Sequence, residues 1–326
     1  MTKVLLTGGT GHVGSSLGHQ LVRQGRSVRA LVRSLERGKA ALPPECELLQ
    51  GDVTDIDSLR RAIQDCSVVY HVAALPEQWL ADPSTFSRVN VRGTQNMIEV
   101  SLEQGLDKFV YTSTIDVLER AAGGEVDESR IDPNPRGTHY ERSKQEADRA
   151  VAEAIERGLP AVFLHPSGVY GPAPARSPMI NDSIVKLIKG KMPLLPPGGM
   201  AVVLCDDVAV GHLLAEEKGP VGGRYILSES FVSVSEFARA VCEESGHGRV
   251  PLVMPVWLAR TVAAAGEAVS GITQRPPLLP KGQLHFLLAE LRPVSRRAQE
   301  ELGWSPTPLR EGLRRTLAYL SNTGAI

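Results

Sequence analysis

The chain has 326 residues, a formal net charge of −1 and 42% apolar residues. That length supports one large α/β domain or a core with a smaller lobe. The near-neutral, dispersed charge excludes a nucleic-acid or anionic-membrane partner from expectation. Cys46, Cys66, Cys205 and Cys242 are scattered, with no C-x-x-C and no His at ligand spacing. Reduced structural thiols and no metal site are expected. No apolar run reaches the roughly 18 residues needed to span a bilayer. Met1-Thr2-Lys3 leads straight into Val4-Leu5-Leu6, which reads as a buried strand rather than a secretory leader. A cytoplasmic protein with no membrane association is expected.

Short apolar runs then alternate with helical patterns, the signature of stacked βαβ units and a parallel sheet. Val4–Thr7 reads as a strand and His12–Gln24 as a helix closed by Gly25. Further strands are expected at Val28–Val32, Glu47–Gln50 and Val68–His71. A long helix over Thr85–Glu103 ends at Gly105 before the strand Lys108–Thr112. A second, Tyr140–Arg157, stops at Gly158-Leu159-Pro160 before the strand Ala161–Leu164. From Pro166 onward prolines and glycines crowd the chain and elements shorten. The expected fold is a doubly wound parallel sheet of Rossmann type with a smaller C-terminal substrate lobe. The division is a core over 1–165 and a lobe over 166–326, with segments near 201–230 returning to the core.

Two motifs carry chemistry. Gly9-Thr10-Gly11-His12-Val13-Gly14 has the G-x-G-x-x-G spacing, directly after a strand and before a helix. Glycines there allow a tight turn, backbone approach to phosphate and close helix–strand contact. Tyr140-Glu141-Arg142-Ser143-Lys144 puts a phenol and an ammonium one helical turn apart on one face. A free tyrosine titrates near pH 10, and a neighbouring ammonium stabilises its phenolate.

With these motifs the chain resembles the extended short-chain dehydrogenase/reductase superfamily over nearly its whole length. Gly8, Gly11 and Gly14 fit that superfamily's T-G-x-x-G-x-x-G form, with His12 and Val13 opening the helix beneath the cofactor. The resemblance makes Tyr140 the proton carrier and gives Lys144 the nicotinamide ribose. Thr114 takes the place of the hydroxyl that binds the substrate oxygen, with Ser113 beside it. Asp52 and Val53 match the adenine contact, and Ala73 and Ala74 the short-side-chain turn. Asn90 matches a backbone-bracing position. Pro166-Ser167-Gly168-Val169-Tyr170-Gly171-Pro172 matches the segment beside the nicotinamide, through Pro166 and Val169. His165 replaces the usual Arg there, and Leu204 stands where His is usual, which puts a sugar contact from that position in doubt.

The end of the second strand bears on the cofactor. NAD binders usually place an acid there, but Val28–Ser34 contains none before Glu36. Arg33, with Ser34 and Arg37 assisting, suits a 2′-phosphate, so NADP(H) is favoured over NAD(H). Nucleotide-sugar dehydratases carry Asp-Glu directly after the catalytic Thr, whereas Ile115-Asp116 follows here. The apolar stretch from Val253 to Leu288 resembles dihydroflavonol-reductase-like and 3β-hydroxysteroid-dehydrogenase-like members. It reads equally as a hydrophobic pocket wall or as helical core. The expected activity is NADPH-dependent reduction of a ketone or aldehyde on a fairly apolar small molecule. A nucleotide-sugar epimerase with retained NAD(P) is the alternative, and a redox-sensing binding protein, which typically lacks the Tyr-Lys pair, stands further off. Family dimers imply a homodimer through the helices near 85–103 and 140–157.

Overall fold

A computed structural model describes residues 3–121, 124–172 and 180–326. Its centre is a seven-stranded sheet in which every pairing is parallel. Across the sheet the strands run Arg224–Leu227, Ala161–Pro166, Lys108–Thr112, Val68–His71, Lys3–Thr7, Ser27–Val32 and Glu47–Gln50. Chain order reverses between Lys3–Thr7 and Val68–His71, so the crevice at their carboxyl ends is the place such a sheet offers a ligand. Helices cover both faces. One core cluster joins Leu6, Leu17, Val28 and Tyr225, and the other joins Leu5, Val69, Phe109 and Ala147.

Two short helices were not among the elements expected from the sequence. Leu35–Ala41 is capped by Ser34, whose hydroxyl accepts from Arg37 N, and Ile56–Ile63 by Asp55. The helix expected over Thr85–Glu103 is three segments, Ser84–Phe86, a π-turn at Ser87–Arg92, and Gly93–Gln104. The helix His139–Glu156 begins one residue earlier than its apolar pattern suggests, because Thr138 and Glu141 form a reciprocal capping box.

Beyond Pro166 the short strands Gly168–Tyr170, Leu194–Leu195 and Leu252–Val253 agree with the expected brevity. The helices do not: Val256–Thr273 runs 18 residues and packs on Lys281–Ala289. Ala259, Ala263, Leu279 and Leu284 form a small core between them, while Trp257 is 69% and Ile272 87% exposed. The apolar stretch is therefore partly core and partly an open face. Among the described residues no helix is long and apolar enough to cross a membrane.

Candidate active site

The glycine turn lies at the switch point. Gly8 has φ of +76°, and a Cβ there would lie 2.6 Å from Ala73 N. A Cβ on Gly14 would lie 2.2 Å from Gly8 O. Only glycine lets the loop touch the Ala73-Ala74 turn and lets the helix His12–Arg23 start so close to its strand. No side chain caps that helix at Gly11, and no acid occupies its first turn. Its first N–H groups therefore suit a pyrophosphate. A nicotinamide dinucleotide fits this cradle. Val13 packs on the core beneath it, and His12 Nε2 donates to Gly171 O at 2.8 Å, tying the loop to the Val169–Pro172 segment. Asn181 Nδ2 donates to the same carbonyl at 2.9 Å.

The remaining expected cofactor residues line up along the strand ends. Arg33 is exposed just after its strand. Asp52 Oδ1 accepts from Thr54 N and Thr54 Oγ1, both at 2.8 Å, which fixes the carboxylate after the third strand. Val53 is buried against Gly93. Asn90 braces backbone as expected: its Oδ1 accepts from Leu75 N at 2.8 Å, and its Nδ2 donates to Ser143 Oγ at 2.9 Å. Asn90 lies within the π-turn and is 1% exposed.

Thr114, Tyr140 and Lys144 come together at the end of Lys108–Thr112. Phe86 meets the Tyr140 ring edge-on, with centroids 6.5 Å apart. Burial, then Asp116, Glu141 and Glu77, hold the Tyr140 phenol above its ordinary pKa, against a lowering hydrogen bond with Thr114. The expectation of a phenolate drawn down by Lys144 is not met in the chain itself. Lys144, 3% exposed, donates instead to Tyr111 Oη at 3.2 Å and Thr112 O at 2.8 Å. Burial lowers its own pKa to about 8, against the pull of Asp148.

A buried network under this trio was not anticipated. Ser113 Oγ donates to Asp148 Oδ2 at 2.6 Å, and Asp148 Oδ1 pairs with Arg224 at 2.8 Å. Arg224 stacks its guanidinium 3.9 Å over the Phe163 ring and reaches His165 Nε2 at 3.2 Å. His165 Nδ1 donates to Thr114 O at 3.1 Å. Thus the cation absent at position 165 arrives from the neighbouring strand, and neutral His165, its pKa lowered to about 4 mainly by burial, passes the brace on to Thr114. The one sequence signal was Asp148, one helical turn beyond Lys144. Leu204 is fully buried beside Tyr170, in a cluster with Phe237 and Leu313. The helix Lys281–Ala289 closes on the site: a Cβ on Gly282 would lie 2.7 Å from Gln78 O, and His285 Nε2 is 3.7 Å from Glu141. Among the described residues no cluster of His, Cys, Asp or Glu suits a metal ion.

The NAD dependent epimerase/dehydratase family profile matches residues 4–228. The chain belongs to that family. Within it, the chain is an extended short-chain dehydrogenase/reductase. It is 30% identical to a Synechocystis protein provisionally named a dihydroflavonol 4-reductase, over 98% of this chain and 95% of that one. It is 29% identical to the 4-hydroxy-2-methyl-3-oxo-4-farnesyl-3,4-dihydroquinoline-1-oxide ketoreductase of Stigmatella aurantiaca, over 93% and 92% respectively. The UDP-glucose 4-epimerase structure from Thermotoga maritima superposes with a TM-score of 0.81 at 22% identity, covering 99% of each chain, which speaks to the fold alone.

Proposed function

We propose that this family member is an NADPH-dependent carbonyl reductase acting on a fairly apolar ketone or aldehyde. The observation that carries the reading is the buried trio itself: Tyr140 in hydrogen-bond contact with Thr114, with buried Lys144 one helical turn further along the same helix. When bound at the glycine loop, the nicotinamide supplies hydride. Tyr140 then donates the proton to the carbonyl oxygen, and Thr114 hydrogen-bonds that oxygen as negative charge develops. Lys144, held by Thr112 O and Tyr111 Oη, orients the reacting face. Arg33, exposed with no acid beside it on its strand, suits a 2′-phosphate and supports NADPH.

The apolar helices Val256–Thr273 and Lys281–Ala289 support an apolar substrate, as does likeness to a relative named for reducing a farnesylated ketone. The second reading, an epimerase with retained cofactor, rests on shared fold. Incubating the protein with NADPH or NADH and a panel of apolar ketones and aldehydes separates the two. The reductase reading expects carbonyl-dependent loss of NADPH absorbance, faster than with NADH. Interconversion of UDP-sugars with no net cofactor turnover would replace it with the epimerase.

A further inference from the structure

Thr114 has a single hydroxyl proton, and in this structure it is engaged. Thr114 Oγ1 donates to Asp116 Oδ2 at 2.8 Å, and Asp116 N donates back to Thr114 Oγ1 at 3.3 Å. In that arrangement Oγ1 has no proton to offer a substrate oxygen or the Tyr140 phenolate, so the lowering bond to Tyr140 belongs to the other arrangement. Asp116 itself is 5% exposed, and its second oxygen, Oδ1, is buried with no hydrogen-bond partner among the described residues. Buried carboxylates normally gather several donors. One hydroxyl is poor compensation for a charge, but it is an adequate partner for a neutral carboxylic acid. A protonated Asp116 donates to Thr114 Oγ1 and frees the threonine's own proton.

We propose that Asp116 is a positioning residue that sets the direction of the Thr114 hydroxyl. As a carboxylic acid it turns Thr114 into a donor toward the substrate oxygen, and as a carboxylate it draws that proton back. This rests on the role given to Thr114 above.

The groups facing Asp116 bear on its titration. Tyr140 and Glu141 come from the helix His139–Glu156, and Arg136 from the loop before it. Glu141 repels the carboxylate. Arg136 attracts it, but its guanidinium already pairs with Asp132 at 3.3 Å and bonds Leu118 O. Burial dominates, and together these push the carboxyl up to about 7. The buried, half-partnered geometry and the titration range agree.

The test compares carbonyl reduction by the wild type and by Asp116→Asn, whose amide donates to Thr114 at every pH. In the wild type, kcat/KM should fall about twentyfold between pH ~6 and ~8, about tenfold of it as Asp116 ionises. In Asp116→Asn the fall should shrink to about twofold, the remainder belonging to Lys144. An unchanged fall in the variant overturns the inference. A second measurement stands independently of turnover and of that variant's folding. The Asp116 carboxyl carbon, assigned through backbone connectivity in 13C NMR, should titrate near neutrality and move to higher pH in Thr114→Val. A carboxyl ionised from pH ~5 to ~9, or a midpoint unmoved by Thr114→Val, overturns it. If no carbonyl is reduced, the reductase reading fails while this titration still decides the coupling.

Discussion

At the scale of single residues, the site is governed by which groups are allowed to carry charge out of water. Tyr140 and Lys144 were legible as a pair because one helical turn fixes their spacing, a local relation that sequence displays, whereas Thr114 came from the resemblance alone. The brace beneath them was not. Arg224 and Asp148 meet across a strand and a helix, and nothing in either segment names the other. His165 looked anomalous until its neighbour supplied the cation. Arg224→Met should therefore do more than remove a contact. It leaves fully buried Asp148 without its cation, which costs about 3 kcal/mol or more. Thermal melts should show a clear loss, larger than for Arg224→Met combined with Asp148→Asn. Equal melting of single and double variants would assign the pair no net charge compensation.

At the scale of elements, the strand–turn–helix at the front of the chain shows how a motif becomes geometry. The glycine spacing predicted the turn, and the structure shows the contact that requires it: Gly14 against Gly8 O. Gly14→Ala forces the helix His12–Arg23 away from its strand. NADPH affinity should fall at least about tenfold, equivalent to roughly 1.4 kcal/mol, as read by fluorescence titration. An unchanged affinity would remove this helix terminus from the cofactor site. The long helix at 84–104 was legible as a helix but not as a bent one. A π-turn alters phase by a single residue, which apolar periodicity absorbs without trace. Leu35–Ala41 and Ile56–Ile63 were missed because they are only about two turns long; Ile56–Ile63 carries an apolar stripe of Ile56, Leu59, Ala62 and Ile63, but over too short a run to stand out.

At the scale of the whole molecule, the parallel sheet followed directly from alternating apolar runs, since each strand buried on both faces must read as continuously apolar. The later helices did not follow. Val256–Thr273 and Lys281–Ala289 bury one small cluster and leave Trp257 and Ile272 exposed, so no single period describes them. The pH dependence of stability is also a property of the whole chain. His71, His165 and His212 are fully buried, with pKa values lowered to about 3, about 4 and about 4, burial being the largest cause in each. The unfolded chain binds protons at these groups near pH 6.5 while the folded chain does not. Their stabilisation is present above that pH and is lost as pH falls toward their folded values. Asp116, raised to about 7, acts in the opposite sense over the same window, as do Glu128 and Asp207, both raised chiefly by burial, but five histidines stand against these three acids, since burial lowers His12 and His19 as well. The melting temperature should fall steadily from pH ~6.5 to ~4. A flat profile would mean that these histidines are not held neutral in the fold.

If Tyr140 gives the proton in a reduction driven by NADPH, Tyr140→Phe removes that proton and little else. NADPH binding and ketone-dependent NADPH oxidation would be measured on the same samples of wild type and variant. The phenylalanine keeps the ring that packs against Phe86 and removes only the hydroxyl. Binding should survive within a few-fold, while turnover falls by about 100-fold to 10,000-fold. Turnover in the variant close to that of the wild type would show that the proton comes from elsewhere, and the account of the site would be wrong.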